Sequence, residues 1–134
     1  MSNAGASTTR KMDPKALLST LWIVVMINML TADILSLYIP GALDELAKTA
    51  GNTPIAQLML GGAIMMELAI AMIIMSRVLN RRVNRWLNII VGLITIGFVV
   101  GPGATYPHYV FIAAVEVVCL LLIIWNAWKW PASD

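Results

Sequence analysis

Four runs of mostly apolar residues follow one another along this chain, parted by short polar breaks. Each is close to the ~20 residues a helix needs to cross a bilayer. Such a chain has few folds open to it. Hydrocarbon offers no partner to backbone N–H and C=O groups, so each run must satisfy them internally as a helix. Composition agrees, with 60% hydrophobic and 12% charged residues in 134. A soluble domain of this size would need a charged surface that is missing here. The expected fold is all-α: an integral membrane four-helix bundle of antiparallel up-down topology, with no room for a separate soluble domain.

Local signals place the spans at 16–39, 54–78, 83–100 and 109–130. Asp13 and Pro14 suit a helix start, and Pro40-Gly41 a stop. Thr53 is read as the N-cap of the second span, with Pro54 at its first position. Asn80-Arg81-Arg82 is a tight basic turn that forces a hairpin. Gly101-Pro102-Gly103 ends the third span and Pro131 the fourth. Between the first two spans, Leu43, Leu46, Ala47 and Ala50 recur at helical spacing, which predicts a short interfacial helix. Residues 1–15 are polar and expected to be mobile, and 131–134 form a tail. The first apolar run exceeds the ~7–15 residues of a signal-peptide core, so it reads as a retained helix.

Charge orients the bundle. Arg10, Lys11, Lys15, Arg77, Arg81, Arg82, Arg85 and Lys129 all fall on one side, and the other side has only Lys48. The positive-inside rule then puts both termini in the cytoplasm, and the expected location is the bacterial cytoplasmic (inner) membrane. Trp22, Trp86, Trp125, Trp128 and Trp130 gather toward that face, and Tyr38, Tyr106 and Tyr109 toward the other, as rings at headgroup level do.

Within the apolar runs stand three acids, Asp33, Glu67 and Glu116, with no Lys or Arg at comparable depth. A carboxylate there is costly and marks a pathway, a ligand or a partner. At ~1.5 Å per residue, Asp33 and Glu116 lie roughly 9–10 Å below the outer surface and Glu67 roughly 18–20 Å below it. This predicts a polar column opening outward. Glu67 would be its floor, Asp33 and Glu116 its walls, and His108 and Tyr109 its mouth. Asn28 and Asn88 would add polar groups lower down. Small residues share faces with the acids (Ala63 and Ala71 with Glu67, Ala113 and Cys119 with Glu116), so each acid is expected to point into the bundle. Asn84, Asn88, Gly92 and Thr95 form a further buried face.

Other chemistries find little support. No Glu-x-x-His or His-x-x-x-His spacing occurs, so no metal site is assigned. No phosphate loop, nucleophile elbow or zinc spacing is present, no catalytic residue is assigned, and nucleic-acid binding is not expected. The single cysteine, Cys119, rules out an internal Cys-x-x-Cys couple. The methionines of the first two spans fit core packing or an adaptable apolar pocket.

Three segments, MDPKALLSTLWIVVMINMLTADILSLYIPG, SRVLNRRVNRWLNII and PHYVFIAAVEVVCLLLIIWNAWKWP, resemble a family of short bacterial four-helix membrane proteins of unknown function. Through it the chain resembles the DoxX-like group. The wider resemblance implies a four-helix membrane subunit of a redox complex, with quinone as cofactor and a soluble dehydrogenase-like partner on the cytoplasmic face. Three readings follow. The first is a binding or transport protein that couples a proton to a small molecule or cation, expected as a homo-oligomer, with a dimer the simplest form. The others are the quinone-linked subunit and a structural or regulatory bundle whose acids are packing groups.

Overall fold

The computed structural model describes residues 12–101 and 106–131. Five helices make up the fold: α1 (Pro14–Leu37), α2 (Ala42–Ala50), α3 (Ile55–Val78), α4 (Arg81–Val100) and α5 (Pro107–Trp128), with no strand among the described residues. Four of them, α1, α3, α4 and α5, are long and apolar enough to cross a membrane. The helix ends lie within two residues of the expected spans, and their chemistry explains the differences. Proline needs no helical N–H, so Pro14 and Pro107 let α1 and α5 begin two residues early. The N-cap of α3 is Pro54, not Thr53. Asn80 is the N-cap of α4, its side chain accepting from the Val83 N–H at 3.1 Å.

The interfacial helix forms as α2. Glycines at positive φ bracket it, Gly41 at 78° and Gly51 at 60°, where a Cβ would be strained. A hydrogen bond ties it to the start of α5: the Tyr106 hydroxyl donates to Glu45 Oε2 at 2.6 Å. Residues 1–11, 102–105 and 132–134 lie outside the described residues, and with them Arg10, Lys11 and most of the Gly/Pro-rich loop before α5.

Helix α1 is central. It packs along α3 on one side and α5 on the other, while α4 packs on α5 and touches α3 only sparsely. The polar contacts fix the directions. Ser19 near the start of α1 meets Ile73 near the end of α3, and Ser36 near the end of α1 meets His108 at the start of α5. Both pairs are therefore antiparallel. The core runs from Leu18, Trp22, Val25 and Met29 of α1 to Met72 of α3, Ile89 and Val91 of α4, and Leu120 and Ile123 of α5. Coverage is uneven: the apolar window of α3 is 11% buried, against 33% for the other three spans.

Two expected interfacial tryptophans are core residues. Trp22 is fully buried and Trp130 is 4% exposed, whereas Trp86, Trp125 and Trp128 stay on the surface. The surface rings gather cations beside them. Arg85 stands 5.0 Å over Trp128, and Lys129 stands 4.2 Å over Trp125.

Candidate functional site

The expected column resolves into three separate places. The first is a small half-enclosed cavity of about 40 Å³, away from the basic end. It is lined by Met29, Ala32 and Asp33 of α1, Gly62 and Met66 of α3, Phe98 and Val99 of α4, and Tyr109 and Glu116 of α5. All four spans contribute. The sparse α3–α4 contact leaves room for it, because no close packing draws Gly62 and Met66 onto Phe98 and Val99. Asp33 is exposed at the rim. Glu116 is 3% exposed, and among the described residues its Oε1 finds no hydrogen-bond partner. An unpaired buried carboxyl oxygen costs about 1–3 kcal/mol or more. The remaining walls are apolar except for the Tyr109 phenol, so nothing else in the cavity can satisfy it.

Above the cavity, His108 Nε2 lies 3.3 Å from Ser36 Oγ. Ser36 spends its own proton on the Ala32 carbonyl at 2.7 Å, so this contact is made with His108 Nε2–H donating. The His108 ring stacks on Tyr106 at 6.0 Å. The expected mouth residues therefore divide: Tyr109 lines the cavity, and His108 sits above it, closing α1 onto α5.

The second place is a buried polar knot toward the basic end. Asn88 is fully buried and fully satisfied. Its Oδ1 accepts from Trp22 Nε1 at 2.7 Å and, weakly, from Ser76 Oγ at 3.4 Å. Its Nδ2 donates to the Asn84 main-chain and side-chain oxygens. Asn84 Nδ2 donates to the Ser76 carbonyl at 2.7 Å. Ser19 Oγ donates to the Ile73 carbonyl at 2.8 Å and accepts from Arg77 Nε at 3.0 Å. The expected face Asn84, Asn88, Gly92 and Thr95 is indeed buried throughout, but Asn88 serves this knot and not the acids. Asn28 joins neither group, because its amide donates to the Val24 carbonyl one turn back at 2.8 Å. Trp22, Ser19 and Ser76 carry no signal in the sequence that separates them from ordinary span residues.

The third place is the outer surface of α3. Glu67 lies there, exposed, with Ala63 exposed one turn away. It does not line the cavity, so the expectation that it forms the floor is corrected. The inward stripe of α3 is Ala69, Met72 and Ser76. Apolar residues surround this helix on all sides, so small residues beside Glu67 were no guide to which face turns inward.

Among the described residues no group of three or more His, Cys, Asp or Glu could hold a metal ion. A broader apolar hollow is built from α5 alone, by residues such as Leu121, Trp125 and Trp128. It lies on one face of a single helix and gathers no second element, so it forms no site of its own.

A bundle of four candidate spans around a carboxyl-lined cavity defines a small multi-pass membrane protein. The chain belongs to a family of unknown function (DUF6326), whose model matches residues 9–134. No curated protein and no solved structure matches it. The comparisons give no link to the DoxX-like group.

Proposed function

We propose that this protein binds a proton, in exchange for a small monovalent cation, at the Asp33–Glu116 pair. The observation that carries this reading is the buried Glu116 oxygen, unpartnered and facing the same cavity as Asp33. An acid retained only for packing would be hydrogen-bonded across helices, as Asn88 is. Two carboxylates in one small space repel each other when both are charged, and a shared proton or a bound cation relieves that repulsion. A water needs about 10–15 Å³ of such a cavity. About 40 Å³ therefore has room for an ion with a few waters and not for a large organic substrate. Exchange of one proton for one monovalent cation leaves the charge of the site unchanged.

With the basic side in the cytoplasm, the cavity lies in the outer half of the membrane and Asp33 forms the entry. The protein would then take its ion from outside an inner membrane.

The test is proton release from purified protein in weakly buffered detergent between pH 5 and 9, on addition of lithium, sodium or potassium. Wild-type protein should release protons on adding at least one of these ions, and a folded Glu116→Gln variant should release none. Asp33→Asn should weaken the response. No release from wild-type protein, or an unchanged response in Glu116→Gln, would overturn the reading.

A further inference from the structure

We infer that the outer face of α3 around Glu67 is the surface on which a second copy of this chain docks.

Glu67 is twelve residues from Ile55 and eleven from Val78, the ends of α3. At ~1.5 Å per residue it lies roughly 17–18 Å from each end, at the middle of a span. There is no water at that depth, and no headgroup for so short a side chain to reach. The side chain is exposed, and no hydrogen bond or ion pair to it is found among the described residues. A carboxyl group facing lipid at the bilayer centre is among the most costly arrangements a span can present. Something other than lipid must cover it, and the cover must supply a polar group at the same depth.

A second copy meets that requirement without further assumption. A two-fold axis along the membrane normal brings each residue of one copy level with the same residue of the other. Glu67 then faces Glu67, and two carboxyl groups sharing protons can hydrogen-bond each other. The neighbouring residues permit the approach. Ala63 and Ala71 stand one turn to either side of Glu67, and Ala63 is itself exposed. Small residues around a polar one let two helices come close. The uneven coverage of the bundle points to the same face, since α3 is the span its own chain covers least, 11% against 33%.

Cysteine cross-linking in native membranes, in a Cys119→Ala background, tests the inference. Ala63→Cys or Ala71→Cys should give a disulfide-linked dimer. Ile90→Cys on α4 and Phe111→Cys on α5, both outward-facing, should not. In vesicles of purified protein, Glu67→Leu should weaken self-association by about 3- to 20-fold, the range expected for an interhelical hydrogen bond in lipid. Glu67→Gln, which can still pair, should keep most of it. A wild-type protein that is monomeric in those vesicles would overturn the inference. So would cross-linking only at the α4 or α5 positions, or a Glu67→Leu dimer as strong as wild type. If Glu67→Leu fails to fold, the cysteine pattern and the wild-type oligomeric state still decide.

Discussion

Asn88 shows how much one side chain can hold in this bundle. Both its donors and its acceptor oxygen are used, and they join α1, α3 and α4 at one point. Asn88→Ala would strand the Trp22 indole N–H and loosen Asn84. Leaving buried polar groups unpaired costs about 1–3 kcal/mol, and reversible unfolding in mild detergent should show a loss of that size. Trp22→Phe removes the donor and shrinks a fully buried ring, so it should destabilise the bundle as well, with Ser76 left on the Asn88 oxygen. The sequence marks Asn88 as a polar residue in a span and places it on a buried face with Asn84. Its partner was not legible. Trp22 lies toward the basic end with the other tryptophans, and an indole suits either a headgroup or a buried acceptor. The choice depends on what α4 presents opposite it, which no local pattern records. Asp33 and Glu116 were legible together because their depths match from opposite chain directions. The outward position of Glu67 is not legible, because a helix that is apolar all round gives no signal of its inward face.

At the scale of elements, α5 packs Ile124 onto the bare backbone of α4 at Gly92. A Cβ on Gly92 would stand 3.0 Å from the Ile124 side chain. Gly92→Leu should therefore force the pair apart and cost about 1–3 kcal/mol, read from the same unfolding measurement. Val100→Leu at the exposed end of α4 should cost almost nothing.

Helix α2 is the opposite case, an element held by little. The bond from Tyr106 to Glu45 holds the phenol above its ordinary range near 10. The sign follows from the protonation state. The contribution of this contact is present at and below the ordinary phenol pKa, and it is lost as pH rises through the elevated folded value. A fluorophore on Leu43→Cys, in a Cys119→Ala background, should report α2 attached at neutral pH and released only in strong alkali. In Tyr106→Phe the attachment should be weaker at neutral pH, and the alkaline change should be lost. The amphipathic spacing of 42–50 made α2 legible in the sequence, but its tether joins residues 61 positions apart and was not.

For the whole molecule, the division of charge predicts one topology. A fluorescent protein fused after Asp134 should fluoresce in the cytoplasm, and a periplasm-dependent reporter inserted after Ala50 should be active. Moving basic residues from the 77–85 turn into the α2 loop should weaken or invert both signals. The four spans and their order were legible because ~20-residue apolar runs have few alternatives in lipid. Which spans touch was less so. Antiparallel connections allow several rings, and small residues, buried asparagines and one open seam select among them only in three dimensions.

The central place of α1 also bears on how this protein is made. A ribosome delivers α1 before the other four helices, but three of its polar groups have partners on helices made later. Ser19 waits for Ile73, and Trp22 waits for Asn88. Ser36 must wait for His108, more than half the chain later. Until α4 is made, the Trp22 indole N–H therefore lacks its partner. A chain halted before α5 leaves α1 incomplete, and membrane proteases should clear it faster than the finished bundle.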